Sequence, residues 1–96
     1  MPVAEAIEAD GLKTDGLAMW NAAHRHRSFS DEERVLLRGA CELIDLAAEA
    51  RKKVQREGPT TTSRYHGQRA HPAARAAVRF SEEARAILRK LAVVAA

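Results

Sequence analysis

The fold is decided by one stretch of the chain, SDEERVLLRGACELIDLAAEARKKVQRE at residues 30–57. It opens with a capping box, in which the hydroxyl of Ser30 accepts from the amide of Glu33 and the Glu33 carboxylate reaches back to the Ser30 amide. Apolar residues then recur at alternating spacings of four and three in two neighbouring rows, which is typical of a helix buried on one side. The rows are Leu36, Ala40, Leu43, Ala47, Ala50 and Val54, and Leu37, Cys41, Ile44 and Ala48. A Gly-Pro pair at 58–59 stops a helix, so we predict one over about 31–56.

A second amphipathic helix is predicted near the carboxyl end, over about 72–93. It starts at Pro72, which suits the first helical position because its missing N–H would be unpaired there anyway. Its apolar row repeats the same spacing and consists of Ala73, Ala77, Phe80, Ala84, Ile87 and Leu91. Residues 58–71 are rich in Thr and Ser and predict an extended loop or a small hairpin. So short a connection favours an antiparallel helical hairpin.

The predicted fold class is therefore all-α, a helical hairpin with one or two short helices before it. Residues 1–13 are expected to form a flexible tail or a short helix, and residues 14–27 a short helix around Trp20. Residues 14–96 then form a single helical domain. Because two helices cannot cover so wide an apolar stripe, we expect the chain to oligomerise. The predicted oligomer interface consists of Leu36, Leu43, Phe80, Ile87 and Leu91.

Length and composition exclude several classes of protein. With 96 residues the chain is one domain at most, and its single cysteine rules out an intrachain disulfide. No stretch approaches the ~20 apolar residues of a membrane-spanning helix, so no membrane partner is expected. The first residues carry acids where a signal peptide would carry bases. We expect a soluble protein of a reducing cytoplasm.

Catalytic and metal-binding patterns are lacking in the sequence, so we predict no enzyme, no metal and no cofactor. Cys41 lies within the apolar stripe and is expected to be a small core residue. His66 follows Ser63 closely, but no nearby acid would orient it as in a catalytic triad. His24 and His26 point to different faces of a helix. Neither a Walker-type phosphate loop nor a dinucleotide fingerprint is present.

Charge is distributed unevenly along the chain. Residues 1–50 hold five bases and ten acids, a net charge of −5, whereas residues 51–96 hold eleven bases and three acids, a net charge of +8. Such asymmetry indicates a polyanionic partner for the basic half. Two alternatives remain: the halves neutralise each other within or between subunits, or the bases form a solvated face.

Taken in order, several short motifs resemble the small terminase subunits of tailed phages, in the short-chain group whose final helix begins with a His-Pro pair. The resemblance covers roughly residues 14–94 and rests on the order of the motifs. They are Gly16-Leu-Ala-Met-Trp20, Phe29-Ser-Asp-Glu-Glu-Arg34, Ala40-Cys41-Glu42, Glu57-Gly58-Pro59, Arg69-Ala-His-Pro-Ala73 and Leu88-Arg-Lys-Leu91.

This resemblance implies a non-enzymatic subunit for packaging viral double-stranded DNA in the host cell cytoplasm. Such subunits form homo-oligomeric rings, bind the packaging initiation site, and recruit or regulate the large terminase subunit, which carries the ATPase and nuclease. The alternative is a small helical regulatory adaptor that binds a protein partner and has no DNA role. The residues predicted to bind DNA are Lys52, Lys53, Arg56, Arg64 and Arg69, with Arg25 and Arg27 as a second set.

Overall fold

The computed structural model describes residues 9–57, 60–63, 67–70 and 72–93. Over these residues the chain forms three helices, which we number α1 to α3, and two short strands, β1 and β2. The bounds are α1 Thr14–His26, α2 Asp31–Glu57, β1 Thr60–Ser63, β2 Gly67–Ala70 and α3 Pro72–Lys90. The prediction of a helical chain in which two long helices pack together is confirmed.

The connection between the long helices contains a β-hairpin. β1 and β2 are antiparallel, with Thr60 opposite Ala70 and Ser63 opposite Gly67. The small hairpin, one of the two forms expected for this segment, is therefore the one observed. It lies at the turn between α2 and α3, so it occupies one end of the molecule.

The capping box predicted at the start of α2 is present. The Ser30 amide donates to Glu33 Oε1 over 2.9 Å, and the Glu33 amide donates to Ser30 Oγ over 3.2 Å. The bond from the Ser30 amide, together with that from the Arg27 guanidinium, holds the pKa of the Glu33 carboxyl below its ordinary value. The box therefore fixes the first turn of α2 as the sequence indicates.

α2 and α3 pack in an antiparallel hairpin. Leu37 and Cys41, early in α2, share a core cluster with Leu88, late in α3. Further along, Arg51 Nη2 donates to Ser81 Oγ over 3.1 Å. Since early residues of one helix meet late residues of the other, the two run in opposite directions.

The buried face of α2 lies between the two predicted apolar rows. Leu37, Ala40, Cys41 and Ala47 are buried, but Leu36, placed first in its row by the sequence, is 47% exposed. Each row therefore contributes to the core only in part, because the two rows lie about 100° apart around the helix and the buried direction falls between them.

α1 covers the remaining side of the α2 core. Trp20 and Ala23 of α1 are buried in the same cluster as Leu37, as is Phe29 from the connection that follows α1. The rings of Trp20 and Phe29 flank His24, with centroid distances of 4.5 Å and 5.2 Å. Aromatic side chains bury more area than any others, so this short helix supplies much of the core of a chain poor in them.

The start of α1 is fixed by a carboxylate from α2. Asp45 is buried, and its two oxygens accept from the backbone amides of Lys13 and Gly16, each over 2.7 Å. These amides are among those that a helix start leaves unpaired, so Asp45 caps α1 from a distance in sequence. Gly16 makes this possible, since a Cβ there would lie 2.4 Å from Asp45 Oδ2 and 2.6 Å from the Cys41 carbonyl oxygen.

α3 ends at Lys90, three residues before the predicted end at 93. Ala92 adopts a left-handed backbone with φ of 57°, and the amide of Val93 donates to the Leu88 carbonyl over 3.0 Å. The Ala92 amide donates to the Arg89 carbonyl over 3.0 Å. This is a Schellman motif, in which Val93 turns back onto buried Leu88. The apolar pattern continues past the helix because the cap itself packs against the core.

Two helical glycines are expected to respond oppositely to alanine. Gly16→Ala drives a methyl group into Asp45 and should lower the free energy of unfolding by about 2 kcal/mol. Gly39→Ala is the matched control, because a Cβ there meets nothing within 4 Å. It should raise the free energy of unfolding by about 0.5–1 kcal/mol through helix propensity. Urea denaturation followed by circular dichroism measures both, and a stability loss at Gly39 equal to that at Gly16 would contradict the role given to Asp45.

Candidate nucleic-acid interface

Three of the bases predicted to bind DNA lie together at the hairpin end of the molecule. Lys52, Lys53 and Arg56 are exposed on the last two turns of α2. They line a groove of about 450 Å³ whose far side is formed by Ala73 and Ala76 of α3. The antiparallel packing of α2 and α3 builds this groove, since it brings the end of one helix beside the start of the next.

Two further bases lie at the same end, on the first turns of α3. Arg75 and Arg79 are exposed, and their spacing of four residues places them on one face of the helix. The sequence shows both as bases of the final helix, although the predicted DNA-binding residues do not include them. We call Lys52, Lys53, Arg56, Arg75 and Arg79 the basic end.

The side chains of the basic end are not neutralised by the acidic half of the chain. Among the residues that the structure describes, none of these five bases forms an ion pair. At the basic end, the acidic half of the chain therefore does not neutralise the basic half through ion pairs between described residues. A polyanion would meet five bases at this end that have no ion-pair partner among the described residues.

Bases of the first half are instead paired with acids of the first half. The ion pairs between described residues include two within α2. Among all these pairs are Lys13 with Glu49, Arg27 with Glu33, Arg34 with Asp31, and Arg38 with Glu42. The positive charge that remains free thus lies mainly beyond residue 50.

Arg27 has a role in the fold. Its guanidinium donates to the Leu91 carbonyl and to Glu33 Oε2, the latter over 2.8 Å, and its Cζ lies 4.7 Å from the Phe29 ring centroid. Arg25 is exposed near the end of α1, two residues before Arg27, so both lie at the end of the hairpin where α2 begins. Since α2 is about 40 Å long, both are far from the basic end.

The remaining predicted site residues are placed as follows. The backbone of Arg69 lies in β2, opposite Thr61, while Arg64 lies outside the described residues. Of the predicted oligomer interface, Leu36 is half exposed and Leu43, Phe80 and Ile87 are partly exposed. Leu91 is only 4% exposed because the core of its own chain covers it, so it offers little surface to a partner.

The Cys41 thiol is buried and is expected to be unreactive in the folded chain. Burial, with a smaller contribution from the neighbouring Asp45 carboxylate, raises the pKa of its thiol to about 12. In the described part of the chain, no group of three or more His, Cys, Asp and Glu side chains is placed to hold a metal ion. No helix in that part has both the length and the apolar character needed to cross a bilayer.

Comparison of the chain with protein-family models, with curated proteins and with solved structures finds no match in any of the three.

Replacing Arg27 should destabilise the fold, whereas replacing Arg25 should not. Arg27→Gln removes the bonds to the Leu91 carbonyl and to Glu33, and a hydrogen bond of a charged group contributes about 1.5–3 kcal/mol. Arg25→Gln removes an exposed charge two residues away and should change the free energy of unfolding by less than about 0.5 kcal/mol. Thermal and urea unfolding of the two variants tests this, and equal effects would contradict it.

The Cys41 thiol should react only when the chain unfolds. At pH 8 an aromatic disulfide reagent should label the folded protein very slowly and the urea-unfolded protein at once, because only the unfolded thiol ionises near its ordinary pKa. Since the folded pKa is raised, this group favours folding fully below the ordinary thiol pKa. Its contribution is then lost as the pH rises from that value toward about 12. Rapid labelling of the folded chain would contradict this account.

Proposed function

We propose that this chain is a non-enzymatic DNA-binding subunit of a viral genome-packaging machine, comparable to a terminase small subunit. The basic end carries the proposal. It holds five exposed bases without ion pairs among the described residues, while the bases of the other half are largely used within the fold. The order of sequence motifs supports the same function.

The basic end suits the backbone of double-stranded DNA. A duplex carries one phosphate charge per ~1.7 Å of axis, and each phosphate neutralised by Lys or Arg releases counterions into solution. The side chains of Lys52, Lys53 and Arg56 follow one another along the end of α2, so they can reach neighbouring phosphates. Such contacts position a protein on DNA without reading its sequence.

A sequence-reading element is available beside the basic end. The β1–β2 hairpin is a two-stranded antiparallel ribbon, and the major groove of B-DNA is wide enough to admit such a ribbon. It lies between α2 and α3 in the chain, next to the bases that would fix the phosphates. We therefore assign phosphate binding to the basic end and recognition of the packaging initiation site to the ribbon, which includes Arg69.

In this function the chain works as a homo-oligomer, for which the resemblance implies a ring, and it recruits or regulates the large terminase subunit. Chemistry is left to that partner, so the chain itself needs no cofactor. The one cysteine fits this assignment, because its thiol is buried and its pKa is raised.

Binding to a double-stranded fragment, measured by fluorescence anisotropy at several salt concentrations, tests the proposal. Lys52→Gln/Lys53→Gln/Arg56→Gln should reduce the slope of log K against log[salt] by about 2–3, since each phosphate contact contributes about 0.9. The matched control is Arg85→Gln/Arg89→Gln/Lys90→Gln, which removes the same charge from exposed positions at the other end of α3. It should alter the slope by less than about 1.

Two results would contradict the proposal. If both triple variants lose the same slope, the chain binds by net charge alone and the basic end is no site. If the unmodified chain shows no binding at low salt, DNA is not its partner, and the regulatory adaptor becomes the better function.

A further inference from the structure

α2 carries an apolar seam that the described part of its own chain covers only in part. Leu36, Gly39, Leu43, Leu46 and Ala50 follow one another at spacings of three and four, the repeat of a coiled-coil seam. At 100° per residue, Leu46 lies on the opposite side of α2 from Leu37, which is completely buried. We call these five residues the α2 seam.

Exposure along the α2 seam is concentrated in large side chains. Leu36 is 47% exposed and Leu46 is 45% exposed, and Val35 beside them is 72% exposed. Of the five large apolar side chains that are exposed in the described residues, these three lie on α2. An apolar row on one face of an exposed helix marks a contact surface, whereas single exposed apolar residues need no explanation.

Gly39 makes a gap in the middle of the α2 seam. A Cβ at Gly39 would meet nothing within 4 Å, and the space over it belongs to a cavity of about 230 Å³. Its walls are formed by Arg34, Val35, Arg38 and Glu42. A leucine side chain from a neighbouring helix could enter such a gap, as a knob enters a hole in coiled-coil packing.

We propose that the α2 seam binds the α2 seam of a second copy of this chain, with the two helices antiparallel. Leu36 of each copy lies opposite Leu46 of the other, and the partly exposed Leu43 of each copy lies at the level of the gap over Gly39 of the other. The inference rests on the self-association that the proposed function assumes, and it names the surface and the orientation. The contact is isologous, so it closes at two copies, and any ring uses a further surface.

Charge complementarity identifies a second copy as the occupant and sets its direction. α2 begins with the acids Asp31, Glu32 and Glu33 and, after the seam, continues with the bases Arg51, Lys52 and Lys53. In the antiparallel register the acidic start of one helix lies at the level of the basic stretch of the other. A parallel pair would place like charges side by side, and its helix dipoles would also be aligned unfavourably.

The proposed dimer places Lys52 and Lys53 near the acids of the other copy and leaves Arg56, Arg75 and Arg79 of the basic end available for DNA. Lys52 lies about 120° around α2 from Leu46, and Arg56 lies beyond the paired segment. Only the edge of the groove formed by Leu46 and Ala50 is covered. The contact is short, so its area falls near the lower bound of specific interfaces, about 1,200 Å² in total, and the dimer should dissociate on dilution.

Cysteine cross-linking under mild oxidation tests the register. Leu36→Cys and Leu46→Cys are both made at exposed seam positions, and the native Cys41 is buried. A mixture of the two variants should give disulfide-linked dimers, while each variant alone should not. Dimers formed by either variant alone would indicate a parallel pair, and no dimers in the mixture would indicate no such contact. Either result overturns the proposal.

Sedimentation of charge variants tests the surface without oxidation. Leu46→Glu should abolish the dimer at tens of micromolar. The matched control is Val78→Glu, at a 56% exposed position on α3, which should leave the dimer intact. Circular dichroism verifies that both variants are folded, and equal behaviour of the two would overturn the proposal. DNA binding is measured in parallel: cross-linking without DNA binding refutes only the proposed function, and DNA binding without cross-linking refutes only the dimer.

Discussion

The carboxylate of Asp45 fixes the position of α1, and the rest of the core depends on that position. A buried carboxylate is costly unless its lone pairs are used, and here two backbone amides at the positive end of a helix use them. With its start held in this way, α1 lays Trp20 and Ala23 over Leu37 of α2. Without α1, the α2–α3 hairpin would leave this side of its core in water.

Local signals made the long helices predictable. The capping box of Ser30 and Glu33 needs only residues three apart, and it is present as the sequence indicates. The spacing of apolar residues likewise defines α2 and most of α3. The face that each helix buries was harder to predict from the sequence. Leu36 and Leu37 begin adjacent apolar rows, and only the position of α3 decides that Leu37 is the buried one.

The contact between Asp45 and Gly16 could not have been found from the sequence. In the sequence Asp45 is a polar residue next to an apolar row, and Gly16 is a glycine near a helix start 29 residues away. The candidate site divides in the same way. Lys52, Lys53 and Arg56 form a run of bases that the sequence shows directly, whereas the role of Arg27 depends on a carbonyl 64 residues away.

The two ends of the molecule thus use positive charge differently. At one end, Arg27 and Arg34 bond to acids and carbonyls and hold neighbouring segments together. At the other end, the bases at the close of α2 and the start of α3 project into solvent beside the hairpin. Because the two uses are separate, the basic end can change without disturbing the bond between Arg27 and the Leu91 carbonyl. We call this bond the clasp, since it closes the fold.

The bond between Arg27 and the Leu91 carbonyl also bears on the order in which the chain assembles. It joins residues 64 apart, so forming it early would cost the entropy of closing a loop of two thirds of the chain. The pairing of α2 with α3 starts instead beside the β1–β2 hairpin, which joins them, and can extend from there. We therefore expect the clasp to form last on the way to the native state, where it slows the opening of the fold more than it speeds its formation.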